Sequence, residues 1–582
     1  MLKRGIFVCL FFLSTPSTLF SFNLENIYTD PYWKTLLHFK NGESEIDDKK
    51  FFLSPFGKRD LKKELEATIK ALKKNTDETF CKFPARSQWI LEKLPKLKAD
   101  IGEYSCKSID NIIKEYNPTN ISLIFPTAHI NSPASMYGHT FLRVDNDKKT
   151  PLLSQAINYA AQTDESNALL YTFYGLTGGY KGVYSISPYY EKIKEYTDLE
   201  RRDIWEYELV LDEKEIKRLL YHQFELKDYY SDYYFFTQNC SYNLLWLIQS
   251  AKKDINLVDS FSFKVIPIDT IRKLEEKKLI KKVIFRASKS RKIKHIVKNI
   301  KDINLAKKFI KHGYKKEILT DINSSQKALV LDLSTELLRG KRGKNKVEKK
   351  KYIKSLMGIL AQRSKLDFKS DYSIKKPTNP LKAVKSSRIK LAVKKEKFFI
   401  AYKPSFHDIY DLSYGFSEEG AFINFFNLEL EKEFGGNIKL HRFDVIDVAS
   451  YAAKESFFDS LSWQVNVSFL RDKEEKLAFN LNAGGGLSYK SFGFLYYLFL
   501  SPSLYVNSKI NMSLSPKIGF IKNFSKFKIA ASTWREFFTD GDGSNHVEIF
   551  STYKIDKDIA LNLKYDINDK KDRTTLSLFY YF

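Results

Sequence analysis

Apolar and polar side chains alternate strictly through the last third of the chain, and this constrains the fold more than any other feature. In Ser462–Leu470, Trp463, Val465, Val467 and Phe469 fall on one face, and Ser462, Gln464, Asn466 and Ser468 on the other. Six charged residues, Arg471 to Lys476, follow as a turn. Leu477, Phe479 and Leu481 then oppose Ala478, Asn480 and Asn482, and Ile510, Met512 and Leu514 oppose Asn511, Ser513 and Ser515. Ile559, Leu561, Leu563, Tyr565 and Ile567 repeat the pattern, and the chain ends with Leu576, Leu578, Tyr580 and Phe582 on one face. A period of two means antiparallel strands with one apolar and one polar face. In a soluble sandwich the polar face lies outside; in an outer-membrane barrel the apolar face does. Periodicity alone does not separate the two. Aromatic content, a final strand ending in an aromatic residue and a polar face rich in Ser and Asn favour the barrel, over residues 385–582.

The N-terminus supports export. Lys3 and Arg4 precede a short apolar run, Gly5 to Leu13, which Pro16 and Ser17 break, and Ser21 is a small residue suited to cleavage. Residues 1–21 therefore read as a signal peptide that takes Cys9 with it. Of the remaining cysteines, Cys81 and Cys106 lie close in sequence and flank one helical stretch, so an oxidising compartment favours a disulfide between them. Cys240 is left as an odd thiol. No later segment reaches the ~18 continuous apolar residues of a membrane-spanning helix.

The net charge of +26 would ordinarily suggest nucleic acid. It is concentrated, however: residues 251–400 hold 43 Lys or Arg against 14 Asp or Glu, while the remainder is nearly neutral. The same stretch has only 10 aromatics in 150 residues, which disfavours the base stacking of single-strand binders. No nucleic-acid partner is expected. Ile293, Ile296, Val297 and Ile300 fall at helical spacing among the cations, so residues 256–384 read as a basic helical connector. Its charge suits either a solvated linker or docking onto anionic headgroups.

The chemistry lies before this connector. Residues 22–115 read as a helical region. A strand at Ile121–Phe125 leads to a second that starts at His139, and a third candidate spans Leu152–Ala160 with Gln155 and Asn158. Gly175–Gly182 lacks phosphate-loop spacing and reads as a turn. Asp212 and Glu215 form a capping-box pattern. From Cys240 onward, Leu244, Leu245 and Ile248 have helical spacing, which puts Cys240 in the first turn of a helix. Free amides and the helix dipole favour a thiolate there. A thiol, a His and an amide form a nucleophile, base and orienter set; the bland alternative is a buried small hydrophobe. Neither HExxH nor Cys-x-x-Cys occurs, so no metal and no cofactor is expected. His222 reads as an ordinary helix residue, and His407-Asp408 as a structural pair or a second polar site.

The segments SPASMYGHTFLRVD (132–145) and QNCSYNLLWLI (238–248) resemble the periplasmic domain of the Lnb family of bacterial proteins. SQAINYAA (154–161), GLTGGYKGVYSISPYY (175–190) and RDIWEYELVL (202–211) fit the same pattern, and CKFPARSQW (81–89) and KPSFHDIYD (403–411) resemble flanking regions of proteobacterial members. The His-before-Cys order is similar to circularly permuted papain-like folds, among them NlpC/P60 relatives. The resemblance implies an α+β permuted papain-like domain over 116–255, with Cys240 as nucleophile and His139 as base. Asn158 is the orienter, with Gln155 the alternative. Gln238, Asn239, Ser135 and Tyr137 are placed at the oxyanion or substrate.

The resemblance further implies a cell-envelope thiol acyltransferase or lipid hydrolase. Its donor would be phospholipid and its acceptor a lipoprotein amino terminus, another amine or water. The characterised branch ends in transmembrane helices whereas this chain ends in strands, so acceptor and host membrane do not carry over. The competing expectations are a cell-wall peptidase or amidase and a non-enzymatic barrel protein. The expected location is the periplasm, with the C-terminal domain in the outer membrane.

Overall fold

The computed structural model describes residues 24–127, 138–147, 150–165, 167–312, 319–320, 322–343, 347–366, 368, 373–415, 420–454, 461–471, 476–569 and 571–582. The expected signal peptide, Ser135 and Tyr137 lie outside the described residues. No helix among the described residues is long and apolar enough to cross a membrane.

The N-terminal region is helical. Helix α1 (Leu61–Lys74) starts at Asp60, whose carboxylate accepts from the Lys63 amide at 3.0 Å. Helix α2 (Pro84–Lys93) carries Arg86, fully buried and sandwiched between the rings of Phe51 and Phe83, each 4.2 Å away. Its guanidinium pairs with Glu64 at 2.9 Å and with Glu225. An unpaired buried charge would cost several kcal/mol, roughly 3–5, so this group sets the register between the N-terminal helices and the domain behind them. A disulfide joins Cys81 to Cys106.

Seven antiparallel strands form the next domain: β1 (Pro118–Pro126), β2 (Phe141–Asn146), β3 (Gln155–Gln162), β4 (Tyr180–Pro188), β5 (Ile204–Leu209), β6 (Tyr230–Tyr233) and β7 (Ile280–Arg286). Their order is β6-β4-β3-β2-β1-β5-β7. Helix α3 (Ala168–Thr177) lies between β3 and β4. It was not anticipated: its Gly175 suggested a turn, whereas the helix carries Gly175 and the strand resumes at Tyr180. Helix α4 (Glu213–Leu226) begins at the capping box of Asp212 and Glu215, both of whose bonds are present. Helix α5 (Cys240–Ala251) is buried along its whole length, and its polar side chains Asn243 and Gln249 are hydrogen-bonded.

The domain runs further than the sequence boundary at 255. Helix α6 (Pro267–Glu276) packs on α5, and β7 closes the sheet edge against β5. Both segments fall within the expected connector because cations surround them, although α6 buries Ile268, Ile271 and Leu274. The helical unit proper comprises α7 (Lys289–Asn299), α8 (Ile303–His312), α9 (Ser324–Gly343) and α10 (Lys349–Ser364). Ile293 and Ile296 are buried in its core with Phe309, Leu331 and Ile359, and Val297 and Ile300 pack against it. The apolar stripe therefore holds helices together.

The C-terminal strands are β8 (Arg388–Lys394), β9 (Lys397–Lys403), β10 (Ser405–His407), β11 (Ala421–Glu433), β12 (Ile438–Ser450), β13 (Ser462–Arg471), β14 (Leu477–Ser491), β15 (Phe494–Val506), β16 (Ile510–Asn523), β17 (Phe527–Phe538), β18 (Gly543–Lys554), β19 (Ile559–Asn568) and β20 (Lys571–Tyr581). Each of β11 to β20 pairs with its sequence neighbour, β20 returns to β8, and β9 pairs with β11. That last pairing closes a twelve-strand barrel, with the short β10 extending along β11. Closure settles barrel against sandwich.

The apolar face points outward. Along β15, Tyr496, Leu498 and Leu500 are exposed while Tyr497, Phe499, Ser501 and Ser503 are buried. An apolar outer wall around a polar interior suits lipid as the surrounding medium. The lumen holds a cavity of about 430 Å³ lined by Arg442, Asp444, Asp447, Asn466 and Glu536 among others. At one end it is blocked by Tyr410, whose hydroxyl donates to Glu548 at 3.0 Å, and by the Arg388 pairs with Asp408 and Asp411. His407-Asp408 belongs to this buried polar group.

The sheet domain leans on the outer wall of the barrel at this end. Outward residues Ile423, Phe425 and Val448 are buried in the same core as the sheet domain, and Trp463 and Val465 pack against it. Phe236 meets Phe425 at 5.0 Å and Phe426 at 5.7 Å. Arg272 donates to the carbonyls of Ala383 and Val384, and Lys264 to the Pro404 carbonyl. The Phe582 amide bonds to the Ser387 carbonyl, so the chain enters and ends the barrel at the end that carries the domain.

A charge on the outer wall separates lipid from water as its surroundings. Leu563→Arg on β19 should destabilise the full-length protein in phospholipid vesicles by about 2–4 kcal/mol, measured by urea titration. A change of a few tenths would show that this face is not in lipid.

Candidate active site

Asn239 fixes the start of α5. Its side-chain oxygen accepts from the amides of Ser241 (3.1 Å) and Tyr242 (3.3 Å) and from the Ser241 hydroxyl (2.8 Å). Its amide nitrogen donates to the carbonyls of Phe235 (3.0 Å) and Val265 (2.8 Å). The side chain is thus fully used as a helix cap, with none of its polar capacity left for an oxyanion. Cys240 follows as the first helical residue, 4% exposed.

His139 reaches Cys240 from the start of β2. The preceding Gly138 has φ +87°, and a Cβ there would sit 2.8 Å from the Phe125 ring. Glycine at 138 therefore permits both the turn and the close approach that bring His139 to the helix end. The imidazole lies beside the Cys240 thiol, close enough for their charges to couple. Its Nε2 lies 2.7 Å from Oδ1 of Asn158, which can only accept, so Nε2 carries the proton and Nδ1 is left for the thiol. The His139 ring also stacks on Tyr196, with centroids 5.7 Å apart.

Sequence-named residues divide clearly. Cys240, His139 and Asn158 come together. Gln155 lies three positions before Asn158 on β3, hence on the opposite face of the sheet, and Asn158 is the residue that contacts the ring. Gln238 is half-buried in the turn before the helix, where its amide bonds to the Tyr234 carbonyl at 3.1 Å. His222 is fully buried against His38, at 3.1 Å, and takes no part in the site. No group of potential metal ligands occurs among the described residues.

Sequence reasoning missed Tyr233 and Thr140. The Tyr233 hydroxyl accepts from the Cys240 amide at 3.1 Å. That hydroxyl and the Thr140 backbone N–H both lie near enough to the sulfur to favour its thiolate. Tyr233 ends β6 seven residues before Cys240, a separation that only the intervening turn makes close. Arg202 was also missed; it donates to the carbonyls of Pro126 and Thr127 at the end of β1 and lies over Tyr196.

These contacts set the proton balance. Burial pushes the Cys240 thiol up, but His139, the Thr140 amide and the Tyr233 hydroxyl together bring it down to about 7. For His139, burial acts to lower its affinity for a proton; the Cys240 charge and Asn158 outweigh it, and the net shift is upward. The thiol falls and the imidazole rises, so the two share a proton near neutrality and titrate as a pair. Such a couple can deliver a thiolate nucleophile and return a proton to a leaving group.

Residues 108–277 match the Lnb N-terminal periplasmic domain, and two domains of unknown function match residues 25–93 and 377–581. No curated protein matches the chain. Among solved structures, KdgM porin in complex with disordered oligogalacturonate is 12% identical, covering 34% of this chain and 99% of its own, with a TM-score of 0.23. NanC porin is 8% identical over 34% of this chain and 99% of its own, TM-score 0.24. The outer membrane protein OmpT of Vibrio cholerae is 9% identical over 34% and 97%, TM-score 0.17.

Removing His139 should expose its electrostatic role. In the wild type, iodoacetamide alkylation of Cys240 should rise with pH to a midpoint near 7. In His139→Ala the midpoint should move above the ordinary thiol value of about 8.5, since burial then acts with less opposition. Tyr233→Phe should move it the same way by less. An unmoved midpoint in both variants would sink this account.

Residues 108–277 thus match the Lnb N-terminal periplasmic domain, the C-terminal strands close a barrel with an apolar outer wall, and the protein belongs to the cell envelope, in periplasm and outer membrane.

Proposed function

We propose that the protein is a cysteine-dependent acyltransferase or lipid hydrolase that takes an acyl group from phospholipid. The observation that carries this reading is the line Cys240, His139, Asn158, with the thiol lowered to about 7 at the start of a buried helix. A thiol helix packed on an antiparallel sheet, with His before Cys in the chain, also supports a circularly permuted papain-like arrangement.

In the first step the Cys240 sulfur attacks the ester carbonyl carbon while His139 takes the thiol proton. The tetrahedral intermediate collapses, the bond from carbon to the glycerol oxygen breaks, and His139 hands its proton to that oxygen. The products are an acyl thioester on Cys240 and a lysophospholipid. In the second step an amine or water attacks the thioester carbonyl, His139 takes its proton, and Cys240 leaves as the thiol. The Tyr233 hydroxyl, which accepts from the Cys240 amide, stands beside the reacting sulfur in both steps. Asn158 acts by holding the Nε2–H tautomer, so that Nδ1 remains the base. The acceptor in this reading is an amine, a lipoprotein amino terminus among them, or water.

Intact mass after incubation with phospholipid tests the reading. The wild type should gain one fatty-acyl mass, labile to hydroxylamine, and Cys240→Ser should gain none. His139→Ala should slow adduct formation by about 10²–10⁴-fold, and Asn158→Ala by less. Cleavage of peptidoglycan stem peptides without any lipid adduct would replace this proposal with the cell-wall peptidase reading.

A further inference from the structure

Helix α3 has an apolar surface that the rest of the described structure leaves uncovered. Its sequence, ALLYTFYGLT, contains no charged residue. Leu170, Phe173, Tyr174 and Leu176 are 44%, 59%, 41% and 42% exposed. Four large apolar side chains on one ten-residue helix make a patch rather than scattered singles, and such patches on soluble surfaces mark contact sites.

Two contacts place this helix. On one side it abuts the active site. The Tyr171 ring meets Phe235 at 5.1 Å, Phe235 meets Tyr233 at 5.9 Å, and Tyr233 bonds to Cys240. The Phe235 amide donates to the Gly175 carbonyl at 2.8 Å, which ties the helix to the turn before Cys240. On the other side, the next residue in that turn, Phe236, rests on Phe425 and Phe426 of the barrel's outer wall. Beyond this contact the wall continues as exposed apolar residues, Phe426 and Leu428 on β11 and Ile400 and Tyr402 on β9. One residue of chain therefore separates the helix anchor from the lipid-facing surface.

We propose that α3 is an interfacial helix whose apolar face lies in the periplasmic leaflet of the outer membrane beside the barrel. The inference rests on the phospholipid reading of the active site and specifies its substrate source: lipid of the leaflet into which the helix dips. The barrel fixes depth, because the domain is held to its wall at Phe236. An interfacial helix buries its apolar face roughly 5–10 Å below the headgroups, deep enough to meet an ester carbonyl. Tyr171, on the same helix, lies near enough to Cys240 to feel its charge. A second copy of the chain or a soluble partner is the competing occupant of this face.

Fluorescence depth measurement decides between them. Phe173→Cys and, separately, Leu578→Cys on the barrel wall are made in the full-length chain with Cys9→Ser and Cys240→Ser, so that beside the Cys81–Cys106 disulfide one thiol is labelled with an NBD dye. Each protein is reconstituted into phosphatidylethanolamine and phosphatidylglycerol vesicles, with or without lipid carrying a nitroxide on the acyl chain. The expected result is quenching at 173 by the same factor as at 578, with both shielded from aqueous iodide. Quenching at 578 together with an iodide-accessible, lipid-unquenched dye at 173 would overturn the proposal. An unquenched dye at 578 would overturn the placement of the barrel in lipid, and this inference with it. The readout needs no turnover, so it stands apart from the thioester assay.

Discussion

The structure turns on the side chain of Asn239. Its amide makes five hydrogen bonds, three accepted from one helix and two donated to two other segments. The accepted bonds start helix α5 and set where Cys240 emerges. The donated bonds hold the Phe235 and Val265 carbonyls, and with them the turn whose Phe235 supports α3 and whose Phe236 rests on the barrel. A helix cap is ordinarily worth about 0.5–2 kcal/mol. Here it also aligns nucleophile, apolar helix and barrel contact, because all three depart from one short segment.

The thiol gains its character from a balance of opposing terms. A buried sulfur would hold its proton, and a buried imidazole would shed one. Each is corrected by the other, and the correction is large because little water intervenes. Tyr233 and Thr140 lie near the sulfur and favour its thiolate, and Asn158 anchors the far ring nitrogen. The pair is therefore poised near neutrality without a carboxylate, which would have required another buried charge.

The charge of the chain and the chemistry of the chain lie apart. The cations of the middle segment decorate a small helical unit with a core of its own, built on Ile293, Ile296, Phe309, Leu331 and Ile359. Barrel and sheet domain meet instead through apolar rings and through Lys264 and Arg272, which reach backbone carbonyls across the contact, while Arg272 also pairs with Asp269 of its own helix. Such contacts do not fade with salt as surface ion pairs do. The barrel lumen is narrowed by the Asp408–Asp411 segment and an apolar layer of Tyr451, Tyr497 and Phe499, and the outer wall anchors the sheet domain.

The amino-acid sequence by itself determined whatever depends on local periodicity and local hydrogen bonding. Alternation over Ser462–Leu470 and its counterparts specified strands and their apolar face. Asp212 with Glu215 marked a helix start, and Asn239-Cys240 placed a thiol at another. Cys81 and Cys106 could be paired because only 25 residues separate them. Tertiary structure alone decided what depends on distant segments meeting. The β9–β11 pairing closed the barrel. Strand β7, whose cations resemble the connector, joined the sheet only through β5. Asn158 was separated from Gln155 by which face of β3 meets His139. Tyr233 entered the site, and α3 came to lie between thiol and barrel wall, because the turn at 234–239 folds back on itself. Hydrogen-bond and packing partners far apart in the chain leave no periodic trace in it, so these features became visible only in the folded molecule.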